Sequence, residues 1–321
     1  MVNLVKPAFL FPGQGAQYPR MALDFYETGN AEVGELFALA SEVMGQDMGA
    51  LLEEADGETL KATDIAQPAI TLANLAAAAF LRARGIQARA AAGFSLGEYA
   101  ALAAAGIIGV ADCFALVKAR GRAMRDAADR ISLESRGGAP GMAAVTGLDP
   151  ERVEGLVAQW AAEGLEGLFC ANFNSPRQVV VSGTAGALAA AAERFREAGA
   201  KRFIPLAVSG PFHSPLMAGA AEVFGPALES VVFRDPEILF FSNVTGGPVT
   251  SGAEAKALAL RQITCPVRWT AEEVAIAAAG FDGALETGPG RVLRGLGKDS
   301  GLPLPCYPAG TVSDITALTG A

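Results

Sequence analysis

The chain has 321 residues, 51% of them hydrophobic and 18% charged. That composition excludes a disordered chain and supplies apolar surface for a sizeable core, as two domains or as one large domain with an insertion. A formal net charge of −9 excludes a general nucleic-acid binder, although 25 Lys+Arg are enough for a local basic patch.

Residues 8–11 (Ala-Phe-Leu-Phe) form an apolar run closed by Pro12-Gly13-Gln14-Gly15, and predict a buried strand followed by a turn. The N-terminal run, bracketed by Pro7 and Pro12, lacks the length and cleavage site of a signal peptide. A helix is predicted over 69–84, ending before Gly85. Its Ala-rich part, 72–81, is interrupted by Asn74 and followed by Arg82 and Arg84, which reads as too short to span a bilayer. Cys113, Cys170, Cys265 and Cys306 are scattered without a Cys-x-x-Cys pair, and there is one histidine, so no zinc site is expected and the thiols read as those of a reducing cytosol. The expected setting is cytoplasmic, without membrane or nucleic-acid partners.

Residues 88–92 predict a strand leading straight into Gly93-Phe94-Ser95-Leu96-Gly97, and 96–105 predict a helix. A second helical segment, 113–128, carries Arg120, Arg122 and Arg125. Residues 131–140 are a polar, Gly-rich break. After it come a strand (141–146), a helix (150–163), a hairpin (169–173 and 178–183), a helix (185–198) and a strand (202–208). That β-α-β-β-α-β order is the ferredoxin-like pattern. Strands at 239–243 and 283–286 return to the first unit. The expected class is α/β: a large α/β-hydrolase-like subdomain with a parallel sheet, residues 1–130 and 206–321, holding an inserted ferredoxin-like small subdomain, residues 131–205.

The segment Gly93-Phe94-Ser95-Leu96-Gly97 has the Gly-x-Ser-x-Gly form of a nucleophile elbow, and its strand–turn–helix setting is the one that motif requires. The two glycines permit a tight turn that presents the serine oxygen at a helix N-terminus, where backbone N–H groups can stabilise an oxyanion. A serine nucleophile needs a base with a near-neutral pKa. His213 is the only histidine and lies in the constrained loop Ser209-Gly210-Pro211-Phe212-His213-Ser214-Pro215. Each feature also has a plain structural reading. A lone histidine is more often structural than basic. Pro12-Gly13-Gln14-Gly15 by itself reads as a post-strand turn, although a glutamine at a strand's end can help build an oxyanion hole. Arg120 alone reads as a solvated helix residue, and so do Arg291, Arg294 and Lys298, which share a helix face.

Taken together, the motifs resemble the malonyl-CoA:acyl carrier protein transacylase family, which includes the acyltransferases of polyketide synthases. The resemblance runs through Phe11-Pro12-Gly13-Gln14-Gly15-Ala16-Gln17, Ala66-Gln67-Pro68-Ala69, Gly93-Phe94-Ser95-Leu96-Gly97-Glu98-Tyr99, Arg120-Gly121-Arg122-Ala123-Met124, Gly141-Met142-Ala143, Asn172-Phe173-Asn174-Ser175-Pro176, Gly210-Pro211-Phe212-His213-Ser214, Gln262-Ile263-Thr264-Cys265-Pro266-Val267-Arg268-Trp269 and Gly288-Pro289-Gly290. It covers nearly the whole chain. It implies a malonyl-accepting nucleophile, Ser95, with His213 as general base. The imidazole is oriented by the main-chain carbonyl of Gln262, with no carboxylate in a triad. The resemblance implies an oxyanion hole from the backbone N–H groups of Leu96 and Gln14, and an arginine, Arg120, that pairs with the malonyl carboxylate. Met124, Gln67, Phe94 and Phe212 fall at substrate-binding positions. The implied reaction moves malonate from malonyl-CoA to the phosphopantetheine thiol of an acyl carrier protein by a ping-pong route. No metal or redox cofactor is implied, and the enzyme is expected to be a monomer.

One position departs from the family pattern: Phe94 stands where a histidine is usual, which bears on rate or substrate preference and leaves the proposed base untouched. Phe212 resembles the malonyl-type signature, whose ring is expected to crowd a 2-methyl branch. The resemblance implies an acidic carrier protein as partner, so an enzyme of net charge −9 needs a local basic docking patch, for which Arg291, Arg294 and Lys298 are the candidates. Two rivals stand beside this reading. One is a hydrolase of the same fold that releases acyl groups from carrier proteins. The other is an inactive subunit that docks carrier protein without turnover.

Overall fold

A computed structural model describes residues 4–135 and 138–320. Val2 and Asn3 of the N-terminal run, Arg136 and Gly137 of the polar break, and both extreme termini of the large unit lie outside the described residues. The chain begins with β1 (Pro7–Phe11), α1 (Leu23–Glu27), α2 (Ala31–Met44), α3 (Met48–Glu54), α4 (Thr63–Ala83), β2 (Ala90–Gly93), α5 (Gly97–Ala104) and α6 (Val110–Glu134). Next come β3 (Gly141–Thr146), α7 (Pro150–Ala162), β4 (Leu168–Ser175), β5 (Gln178–Gly183), α8 (Ala185–Glu197) and β6 (Arg202–Pro205). It then returns through α9 (Ala218–Glu229), β7 (Leu239–Ser242), β8 (Gly247–Val249), α10 (Gly252–Arg261), α11 (Trp269–Ala278), β9 (Gly283–Glu286), α12 (Val292–Ser300), β10 (Cys306–Pro308) and α13 (Val312–Thr319).

Two sheets result. The large one has the order β10-β9-β1-β2-β7-β8, parallel except for the antiparallel edge strand β8. Its inner strands are short apolar runs buried on both faces, as a covered parallel sheet requires. Along β1 the faces alternate: Phe9 and Phe11 enter the helical core of α2, α4, α5 and α6, whereas Ala8 and Leu10 meet Trp269 of α11 and Leu293 of α12. The small sheet has the order β4-β5-β3-β6, all antiparallel, with α7 and α8 on one face. This is the ferredoxin-like arrangement expected from the element order. Ala143, Val145, Val179 and Val181 point into that helical layer, while Met142, Ala144 and Val180 point the other way, onto the core of the large unit. The units are also joined through backbone: Phe173 N–H donates to the Val267 carbonyl at 2.8 Å, and Val267 N–H to that of Ala171 at 2.8 Å.

Several predicted boundaries shift. The helix read from 69 begins at Thr63 and carries Pro68 inside it; near-complete burial against α2 and α6 outweighs the cost of a proline within the helix. Its 21 residues are long and apolar enough to cross a membrane, so the argument from short length fails; instead 89% of its apolar window is buried within the protein. The helix read as 113–128 spans Val110–Glu134, continuing into the break expected from 131. The strand read as 202–208 ends at Pro205, beyond which one further ladder bond joins Leu206 N–H to Met142 O.

The elbow is made by glycines that leave room for backbone. A Cβ on Gly97 would lie 2.0 Å from the Phe11 carbonyl oxygen, one on Gly93 2.0 Å from the Gly97 carbonyl carbon, and one on Gly13 2.3 Å from the Phe94 carbonyl oxygen. The left-handed backbone falls on Ser95 itself, at φ 51°. Gly155, exposed within α7, has nothing within 4 Å of its added Cβ. Gly97→Ala is therefore expected to destabilise by about 3 kcal/mol or more, and Gly155→Ala to stabilise by about 0.5 kcal/mol, both read as shifts in thermal unfolding.

Candidate active site

The carboxyl ends of β1, β2 and β7 converge beneath a cleft whose far wall is the small sheet, the usual place for a site in an open α/β sheet. Gln14, Phe94, Ser95, Leu96, Arg120, Met124, Phe212 and His213 line it from the large unit, and Met142, Asn172 and Val180 from the small one. Ser95 leaves β2 at the start of α5. Leu96 is the N-cap of that helix, so its N–H lies ahead of the first intrahelical acceptor and faces no helical partner.

Ser95 Oγ and His213 Nε2 are 2.7 Å apart, and His213 Nδ1 is 2.9 Å from the Gln262 carbonyl oxygen. That carbonyl can only accept, so it selects the tautomer with hydrogen on Nδ1 and leaves the Nε2 lone pair facing the serine hydroxyl. Ser95 and His213 (φ 55°) are two of the four non-glycine residues with positive φ among the described residues, a strained backbone at both partners. Close packing fixes the histidine loop: a Cβ on Gly210 would meet the Ala128 Cβ of α6 at 2.6 Å. Burial is the main reason the His213 pKa falls to about 4. The positive charge of Arg120 adds to it, and backbone hydrogen bonding at Gln262 and Cys265 opposes it.

Arg120 is 1% exposed, which corrects the solvated reading of an isolated helix arginine. Its Nη1 donates to Gln67 Oε1 at 2.9 Å and its Nη2 to Gln262 Oε1 at 3.0 Å; Nη2 also lies 3.5 Å from Ser95 Oγ. The guanidinium sits over the Tyr99 ring, 5.3 Å from its centroid. Nε is buried without a partner, and among the described residues no carboxylate pairs with Arg120. A planar cation held beside the serine oxygen is thus oriented by neutral carbonyls, with capacity left for an anion.

The remaining expected residues take different places. Met124 and Phe212 line the cleft, and Phe94 lines it while packing edge-on against Trp269 at 5.5 Å. Gln67 is buried behind it, with Oε1 on Arg120 and Nε2 3.6 Å from Met124 Sδ, so it reaches a substrate only through those two. The Gln14 side chain turns to Thr63 Oγ1 at 3.4 Å. Arg291 precedes α12 and pairs with Asp314, whereas Arg294 and Lys298 lie on that helix, which also brings Val292 and Leu296 to the cleft.

Three buried residues behind the serine were not anticipated: Asn243, Glu98 and Glu272. Asn243 Oδ1 accepts the Ser95 N–H at 2.7 Å; its Nδ2 donates to the Gly93 carbonyl and to Glu272 Oε1, each at 2.7 Å; its own N–H donates to Glu98 Oε2 at 2.8 Å. Burial raises the Glu98 carboxyl to about 7 and drives that of Glu272 well above the usual range. The available signal was a carboxylate inside an otherwise apolar stretch, as in Gly97-Glu98-Tyr99-Ala100, and a polar residue closing the apolar strand 239–242. Among the described residues no group of three or more His, Cys, Asp or Glu could hold a metal ion.

The chain is similar to known proteins over nearly its whole length. The family model of the acyl transferase domain matches residues 8–299. The malonyl CoA-acyl carrier protein transacylase of Bacillus subtilis is 39% identical over 91% of this chain and 90% of its own, and that of Escherichia coli K12 is 38% identical over 91% of both. The crystal structure of an acyl carrier protein S-malonyltransferase from Vibrio cholerae superposes with a TM-score of 0.90 at 38% identity, covering 98% of this chain and 99% of the other. A type II polyketide malonyl-transacylase solved in complex with its acyl carrier protein gives a TM-score of 0.89 at 36% identity, over 98% and 100% of the two chains. With a family model matching residues 8–299 and these relatives beside it, the chain belongs to the malonyl CoA-acyl carrier protein transacylase family.

Proposed function

We propose that the chain transfers malonate from malonyl-CoA to the phosphopantetheine thiol of an acyl carrier protein through a malonyl-Ser95 intermediate. The observation that carries this is a buried guanidinium without a carboxylate partner, 3.5 Å from a serine oxygen that is itself 2.7 Å from an imidazole. In malonyl-CoA a single methylene separates the carboxylate from the thioester carbonyl. Seating that carboxylate on Arg120 therefore brings the carbonyl carbon to Ser95 Oγ.

The steps follow from the residues. His213 Nε2 takes the Ser95 proton as Oγ attacks. The tetrahedral oxyanion turns to the N–H groups of Leu96 and Gln14, because the Ser95 N–H is already bonded to Asn243. Collapse expels the CoA thiolate, which leaves with the proton from His213. The carrier thiol then gives its proton to His213 and attacks the acyl-serine; the Ser95 Oγ–acyl bond breaks, His213 returns the proton to Oγ, and the malonyl thioester departs. This reading uses side chains and backbone alone, in a cytoplasmic monomer whose small unit is residues 131–205. The carrier protein docks beside α12, the helix that carries Arg294 and Lys298. The Phe212 ring in the cleft favours malonyl over its 2-methyl homologue. A hydrolase of unbranched acyl groups gains nothing from Arg120, and an inactive docking subunit has no use for the Ser95–His213 bond.

Brief mixing with malonyl-CoA and intact-mass spectrometry are expected to show a malonyl adduct that persists without carrier protein and is absent from Ser95→Ala. Arg120→Ala should lower kcat/KM for acylation by about 100-fold or more, the scale of removing one partner of a buried charge pair. Free malonate accumulating without an adduct would instead favour the hydrolase.

Because His213 titrates near 4, the base is neutral throughout the ordinary pH range. Labelling of Ser95 by an uncharged fluorophosphonate should be level from about pH 8 down to about 5 and fall with a limb near 4; a limb near 6.5 contradicts the buried base. The same depressed pKa makes a stability contribution that is complete above about 6.5 and lost as pH falls through 4. Phe94→His should retain transfer within about tenfold, since the Phe94 ring packs on Trp269 and takes no part in the Ser95–His213 bond; complete loss of transfer in that variant would refute this.

A further inference from the structure

Both peptide groups that flank the Ser95 Cα are clamped by side chains outside the cleft. The Ser95 N–H donates to Asn243 Oδ1 at 2.7 Å, and the Ser95 carbonyl accepts from Gln262 Nε2 at 2.9 Å. Gln262 Nε2 in turn lies 3.4 Å from the same Asn243 oxygen, so one amide oxygen organises both clamps. In a trans peptide the carbonyl and the following N–H point in opposite directions, and this chain has no cis peptide bond among its described residues. Holding the Ser95 carbonyl toward Gln262 therefore aims the Leu96 N–H away from Gln262, on the opposite side of that peptide.

Asn243 is itself immobilised. Its backbone N–H is held by Glu98 of α5, its carbonyl accepts from Arg268 N–H at 2.8 Å, and its amide nitrogen donates to the Gly93 carbonyl and to Glu272 of α11. It is fully buried and does not line the cleft. So strained a backbone at Ser95 persists only where its surroundings over-determine it.

We infer that Asn243 is a positioning residue for acyl transfer, whose side-chain oxygen locks the Ser95 backbone, together with Gln262, so that the Leu96 N–H meets the oxyanion. The amide suits this place because its oxygen accepts while its nitrogen donates twice, and the oxygen is the atom that holds the Ser95 N–H. The effect falls on the tetrahedral state, since Arg120 and the cleft walls bind the ground state without contact to Asn243. The inference rests on Ser95 being the acylated residue.

The test is single-turnover acylation by malonyl-CoA, quenched rapidly and read by intact mass, in the parent, Asn243→Ala and Asn243→Asp, with thermal unfolding alongside. Asn243→Ala is expected to lower the maximal acylation rate about 100-fold, the scale of losing one oxyanion donor, with the half-saturating malonyl-CoA concentration changed less than about threefold. Asn243→Asp keeps an acceptor toward the Ser95 N–H and should recover at least about tenfold of that loss. If Asn243→Ala does not fold, a folded Asn243→Asp within about tenfold of the parent supports the inference, and one slowed by about 100-fold or more overturns it. A folded Asn243→Ala within about threefold of the parent overturns it, as does weaker half-saturation at an unchanged maximal rate, or equal loss in both variants. A parent that forms no acyl-Ser95 defeats the transfer reading itself, which separates that failure from this one.

Discussion

Three glycines meet behind the site with only backbone between them, and the geometry of the cleft hangs from that contact. Gly93 abuts Gly97, Gly97 abuts the Phe11 carbonyl, and Gly13 abuts that of Phe94. The contact draws the end of β1 and the start of α5 together. It brings the Gln14 turn beside the Leu96 N–H and leaves Ser95 as the residue that absorbs the sharp bend, at φ 51°. Such a backbone is not self-supporting. The surrounding amides of Asn243 and Gln262, which use all of their polar atoms, keep it in place.

Charge is arranged on the same economy. A buried guanidinium loses several kcal/mol of hydration when no anion compensates it. Here neutral partners carry it: two glutamine carbonyls and the face of Tyr99. Burial raises the carboxyl pKa values of the nearby acids Glu98 and Glu272, which disfavours negative charge at either. The site is thus held short of one anion while the neighbouring imidazole stays neutral. In the proposed transfer, a negatively charged acyl donor completes it.

Much of this was legible in the chain. The apolar run 8–11 and the segment at 93–97 specify strand, bend and helix through local residue types, and the β-α-β-β-α-β rhythm of 141–205 identifies the small sheet before any contact is known. The positions of Arg120 and Gln67 were not legible from periodicity, because burial of a polar side chain depends on what a distant segment provides. Gln262 lies 142 residues from Arg120 in the chain, yet they are hydrogen-bonded. Asn243 escaped notice for the same reason: nothing in its neighbours reveals that its oxygen meets the Ser95 amide, 148 residues away. The start of α4 was not legible either: it lies before Pro68, whose local preference yields to packing on two neighbouring helices.

The backbone bonds between β4 and Val267 have a mechanical meaning. Because Phe173 and Val267 are joined like neighbours in a sheet, the two units cannot swing apart at the cleft without breaking paired hydrogen bonds. The opening is a stiff mould and not a jaw. Donor and acceptor each bring a long pantetheine arm, and both must use the same fixed mouth. The order of events is then enforced by occupancy: the first arm has to withdraw, leaving its acyl group behind, before the second has room to enter.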